Sequence, residues 1–81
     1  MTEFEEFIER TKHIPTSTIL KDVEDTKREI VGLERVEEGY RLVGDRMALF
    51  RADTAARGIR ERHEFIKRLE SILTYREEGA K

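Results

Sequence analysis

The sequence predicts a mainly α-helical protein, with a short N-terminal helix followed by two longer helices. Apolar side chains recur at spacings of three and four residues along most of the chain, which is the period of one helix face. The single proline, Pro15, separates the first two helical patterns. The segment 40–50 is ambiguous between strand and helix. We predict a small β-hairpin there, with a continuous all-α helical hairpin as the alternative.

The first helix is predicted over residues 3–12. Thr2 can cap its N-terminus, and Glu5, three residues later, completes a capping box. Pro15 disfavours helical geometry at the residue before it, so this helix ends near His13. Its apolar face begins with Phe4. We expect this short amphipathic helix to pack on the core like a lid.

The second helix is predicted over residues 17–38. Its apolar positions are Ile19, Leu20, Val23, Thr26, Ile30, Leu33 and Val36. Hydroxyl side chains at residues 16–18 are candidates for its N-cap. Gly32 is an interior weak point, worth about 1 kcal/mol against alanine. Gly39 is the predicted C-terminal cap.

Residues 40–50 admit two interpretations. In a β-hairpin, Gly44 and Asp45 form a two-residue type II′ turn. In an αα-hairpin, Gly44 ends one long helix and Asp45 caps the next. The helical interpretation places a coiled-coil seam at Leu33, Val36, Tyr40, Val43, Met47 and Phe50. We favour the β-hairpin because two glycines interrupt the segment, and because Leu42 and Leu49 fall off that seam.

The last helix is predicted over residues 53–76, with Asp53 as its cap and residues 77–81 as a frayed tail. Its apolar stripe comprises Ile59, Ile66, Leu69 and Leu73, widened by Phe65 and Ile72. A stripe this broad usually touches more than one neighbouring element. Residues 1–81 are predicted to form one small domain.

The small size of the chain favours self-association. A core built from 81 residues rarely supplies more than about 3–5 kcal/mol, and oligomerisation is a common supplement. Cysteine is absent, so disulfides cannot contribute. Residues 1–38 carry 6 basic and 11 acidic side chains, whereas residues 39–81 carry 10 and 7. These opposite charges favour packing of the two halves, within one chain or between two.

Composition also bears on the protein's origin and location. Asn, Gln, Cys and Trp do not occur, and 42% of residues are charged. Depletion of thermolabile residues with enrichment of charge is typical of thermophile proteins. Acidic residues near the N-terminus and the lack of a long apolar run predict a cytoplasmic protein without a membrane span.

No pattern of catalytic or ligand-binding residues is found. The only histidines, His13 and His63, lack the ligand spacing of a zinc site. Gly39 and Gly44 are spaced as in a phosphate-binding loop, but Asp45 follows where that loop needs lysine. We therefore expect no metal, no cofactor and no enzymatic activity.

The expected function is a non-enzymatic helical protein–protein interaction or assembly module, most simply a homodimer. Its candidate interface residues are Phe50, Ile59, Phe65, Ile66, Leu69, Ile72 and Leu73. The alternative is a compact winged-helix DNA-binding regulator, with residues 26–38 as recognition helix and the hairpin as wing. Its candidate DNA contacts are Lys27, Arg28, Arg35, Arg41 and Arg46.

Overall fold

The computed structural model describes residues 2–79 and contains three helices. These are α1 (Glu3–Thr11), α2 (Thr16–Val43) and α3 (Arg46–Gly79). The two long helices pack against each other as an antiparallel hairpin, with only two residues between them. The molecule is elongated, with extents of 53 × 25 × 17 Å.

The predicted β-hairpin at residues 40–50 is wrong, and the αα-hairpin alternative is confirmed. No strand occurs among residues 2–79. Gly44 adopts the left-handed conformation with φ of 77°, and its N–H donates a 3.1 Å hydrogen bond to the carbonyl oxygen of Tyr40. Asp45 accepts a 2.7 Å hydrogen bond at Oδ1 from the backbone N–H of Ala48. The Gly-Asp pair thus ends one helix and caps the next, and the good helix formers on both sides continue the helices.

Three predicted helix ends also need correction. Gly39 lies inside α2 and Asp53 lies inside α3, because the connection between the helices is at residues 44–45. Pro15 occupies the N-cap position of α2, which has no side-chain cap. Its carbonyl oxygen instead accepts hydrogen bonds from the N–H groups of Thr18 and Ile19.

The start of α1 and the end of α3 agree more closely with the predicted helix ends. Thr2 caps α1 as predicted, since its Oγ1 accepts a 3.1 Å hydrogen bond from the N–H of Glu5. At the other end, α3 continues past residue 76 to Gly79. The last two residues of the predicted tail, 80 and 81, lie outside the described part of the chain.

The core lies at the open end of the hairpin, far from the connection. Its buried residues are Ile19, Val23 and Ile30 of α2 and Ile66, Leu69 and Ile72 of α3. Phe7 and Ile8 of α1, and Ile14 of the linker, pack against this cluster. As expected, the short first helix contacts the core.

Near the connection, α3 contacts α2 through buried alanines. Ala48, Ala52 and Ala55 are buried, and Ala52 is fully inaccessible to solvent. Their spacing of four and three residues keeps them on one side of α3. Met47 and Phe50 of the same helix are exposed, so these larger apolar side chains of α3 lie outside the contact.

Candidate functional site

The seven predicted interface residues divide into two groups. Ile66, Leu69 and Ile72 are buried in the core. Ile59 and Leu73 pack against the same cluster. Only two residues of the predicted interface remain exposed: Phe50, 68% accessible, and Phe65, 45% accessible. Most of the broad stripe on α3 is therefore used within the chain.

A groove lies between α2 and α3 in the half of the hairpin near the connection. We call it the tip groove, and its volume is about 610 Å³. It is lined by Leu33, Val36 and Tyr40 of α2 and by Phe50, Arg51, Thr54, Ala55, Arg57, Gly58, Glu61 and Arg62 of α3. The other concave surfaces beside α3, where α1 packs, include Phe4 among mainly polar side chains.

Large apolar side chains are exposed at and beside the tip groove. Val36 is 45% accessible, and Val43, Met47 and Phe50 are each more than 60% accessible. The sequence interpretation did not select Val36, Val43 and Met47 as interface residues. Their spacing of three and four residues predicts a coiled-coil seam between the helices. In the structure, α3 contacts α2 through Ala48, Ala52 and Ala55 instead, and the predicted seam residues Val36, Val43 and Met47 are exposed.

Arginine side chains form one wall of the tip groove. The guanidinium of Arg51 lies 5.8 Å from the ring centre of Tyr40, a cation–π arrangement. Arg62 donates a 2.8 Å hydrogen bond from Nε to Glu29 on α2, and a second bond to the carbonyl oxygen of Gly58. Within residues 2–79, Arg57 makes no ion pair.

Charge differs between the two helices in this half of the molecule. Residues 46–62 of α3 contain five arginines and two acidic residues. Residues 29–43 of α2 contain four glutamates and two arginines. The tip groove itself has a basic wall on α3 and an uncharged wall on α2, because Glu34, Glu37 and Glu38 line a different concave surface.

The candidate DNA contacts do not form the predicted surface. Arg41 and Arg46, which the alternative prediction places on a β-hairpin wing, lie in helices. The predicted winged-helix fold is therefore wrong. Arg41 donates hydrogen bonds to Glu37 and reaches Asp53 at 3.4 Å. The hydrogen bond with Glu37 is the main cause that raises the pKa of Arg41 above its usual value.

The other candidates are partly neutralised or scattered. Lys27 lies 3.9 Å from a carboxylate oxygen of Glu24, and Arg28 lies 3.4 Å from one of Asp25. Arg35 makes no ion pair within the described chain, and neither does Arg46. These side chains are distributed over α2 and the start of α3 rather than gathered on one element.

Within residues 2–79, no three histidine, aspartate or glutamate side chains are grouped to hold a metal ion. No helix in the same range has both the length and the apolar composition needed to cross a membrane. No family model, curated protein or solved structure matches the chain. The tip groove is therefore the candidate functional site.

Proposed function

We propose that this chain is a small, non-enzymatic helical assembly module that self-associates through the tip groove. One observation carries the proposal. Near the connection, α3 contacts α2 through buried alanines, while the large apolar side chains Val36, Met47 and Phe50 are exposed. Exposed apolar patches of this kind mark interaction surfaces in small proteins. The cytoplasmic location expected from the sequence stays a prediction.

The accessible surface of the chain supports a partner of substantial size. It measures 6404 Å², against about 5,100 Å² expected for a compact monomer of 9.6 kDa. The radius of gyration is 16.6 Å, against about 12 Å for a compact chain of this length. A standard interface covers about 800 Å² on each partner. The excess surface is therefore large enough for such an interface.

The shape of the tip groove suits an α-helix as its occupant. A groove between two packed helices accepts the ridge of side chains on a third helix. Amphipathic helices bind such grooves through residues spaced three and four apart. The exposed apolar residues of this chain have that spacing, so a second copy supplies a suitable helix.

Concentration-dependent mass measurement tests the proposal. We expect sedimentation equilibrium to show a monomer–dimer equilibrium for the unmodified chain. Phe50→Ala should raise the dimer dissociation constant at least tenfold, equal to about 1.4 kcal/mol, because an exposed aromatic anchor is lost. Val31→Ala is the control, because Val31 is half-exposed but does not line the tip groove. A chain that stays monomeric at high micromolar concentration and unfolds cooperatively contradicts the proposal.

A further inference from the structure

Two glycines inside α2 have no explanation within the chain. A Cβ atom added to Gly32 or Gly39 would meet no atom of another part of residues 2–79 within 4 Å. Glycine inside a helix is destabilising relative to alanine. Gly58 differs, because its Cβ would lie 3.4 Å from Cδ1 of Leu33 and 3.3 Å from Nη1 of Arg62. Packing within the fold therefore accounts for Gly58, whereas Gly32 and Gly39 leave open space on the outside of α2.

These glycines share a side of α2 with exposed apolar residues. Gly32, Val36, Gly39 and Val43 recur every three or four residues and so form one stripe, which we call the glycine face. Val36 also lines the tip groove. The glycine face is thus continuous with the surface proposed for self-association, and small residues there allow another helix to approach closely.

Resting on the proposed self-association, we infer that Phe50 of each copy packs on Gly39 of the other in a two-fold dimer. In this dimer α2 of one copy lies along α3 of its partner, and both helix connections are at the same end. Each copy contributes its glycine face and receives the other copy's Phe50. The partner that this surface fits is therefore a second copy of the chain.

Charge decides between the two symmetric ways of laying one hairpin on another. The α3 wall of the tip groove carries three arginines, whereas its α2 wall is formed by Leu33, Val36 and Tyr40. Pairing α2 with α3 of the other copy sets the basic wall against the wall without charge. The other arrangement sets α3 on α3, which brings the arginines of the two copies together.

Distances along the chain fix the register of this pairing. Gly39 lies five residues before Gly44, and Phe50 lies five residues after Asp45. A two-fold axis parallel to the long axis of the hairpin places each residue at the same height along that axis in both copies. Phe50 of one copy therefore lies at the same level as the open space beside Gly39 of the other copy. By the same count Arg57 is level with Gly32 of the other copy.

The first helix limits the contact to the half of the hairpin near the connection. The ring of Phe4 packs edge-on against Tyr75 of α3, with 6.3 Å between ring centres. Tyr75 lies on the same side of α3 as Phe50, because the 25 residues between them correspond to nearly seven turns. At the open end, α1 therefore covers the part of α3 that a second copy covers near the connection.

Replacing the glycines tests the pairing. Gly39→Ala and Gly32→Ala should each raise the midpoint of thermal unfolding, because alanine favours helix. Each should also raise the dimer dissociation constant at least tenfold, since the added methyl group fills the space that the partner uses. Gly79→Ala is the matched control, because its Cβ is also unobstructed but it lies at the far end of α3. Stabilised variants that dimerise as tightly as the unmodified chain would overturn the inference.

A distance measurement checks the orientation independently. The chain has no cysteine, so Ser71→Cys gives one spin label per copy, near the open end. Aligned connections place both labels at the same end of the dimer, whereas opposed connections separate them by a distance comparable to the 53 Å long axis. The long distance overturns this pairing but leaves self-association standing. A chain that does not dimerise at all refutes the proposed function itself.

Discussion

The guanidinium group of Arg76 donates a 2.9 Å hydrogen bond from Nη2 to the main-chain carbonyl oxygen of Thr11, the last residue of α1. Its Nη1 donates a second 2.9 Å bond to Oγ1 of Thr16, the first residue of α2. One side chain on α3 therefore joins the ends of the other two helices. A cation at the C-terminus of α1 also interacts favourably with the helix dipole.

Removing this side chain should loosen α1. Arg76→Ala is expected to lower the free energy of unfolding by about 1–2 kcal/mol, because a charge-assisted hydrogen bond to a partly buried carbonyl is lost. Urea denaturation in a Phe50→Ala background measures it without a contribution from self-association. Arg60→Ala is the control, because Arg60 makes no side-chain ion pair within residues 2–79. Equal stability of both variants would show that Arg76 does not hold α1.

The connection between the long helices depends on backbone conformation at one residue. Gly44→Ala should destabilise the protein by about 1–2 kcal/mol, because φ of 77° is strained for a residue with a Cβ. No steric clash contributes, since the nearest atom to that Cβ is the Arg41 carbonyl oxygen at 3.7 Å. Chemical denaturation measures the loss, with Gly79→Ala as the control. An unchanged midpoint for Gly44→Ala would contradict the left-handed cap.

The alanine contact should not tolerate a larger residue. Ala52→Leu is expected to cost about 1–3 kcal/mol, because the added atoms must push apart two helices at a position with no solvent access. The thermal unfolding midpoint gives the measurement. Arg60→Leu introduces the same side chain at an exposed site and should change stability by no more than about 0.5 kcal/mol. A similar small change for Ala52→Leu would mean that the helices are not in close contact there.

The core at the open end should respond to the loss of a single methyl group. Ile72 is 1% accessible, so Ile72→Val is expected to lower the free energy of unfolding by about 0.5–1.5 kcal/mol. Guanidinium denaturation provides the measurement. Val31→Ala, at a half-exposed site, removes more atoms but should have the smaller effect. The reverse order would place the core elsewhere.

Periodicity predicted most of the fold. The apolar positions of the second and last helices mark the residues that are buried, including Ile19, Ile30 and Ile72. Thr2 could be identified as a cap because capping depends on residues three apart in sequence. These features were predictable because each depends on contacts within a few residues or on a repeat along one helix.

The connection and the candidate site were harder to predict. Gly44 and Asp45 suit both a two-residue β-turn and the junction of two helices, so local preference could not choose between them. The same limit applies to Phe65 and Ile66, which belong to the same broad apolar stripe although only Ile66 is buried. Periodicity groups them, but it does not say which one faces α2 and which one faces solvent.

By itself, the sequence determined the helical class, the short first helix and the apolar faces, because these follow from local propensity and from spacing along the chain. The tertiary structure decided that the residues on both sides of Gly44 and Asp45 are helical, because the antiparallel packing of α2 on α3 buries an apolar face of each helix. It also decided which apolar residues remain exposed, because buried alanines bring the helices together near that connection. Burial is a property of the packed pair of helices, and neither helix specifies it alone.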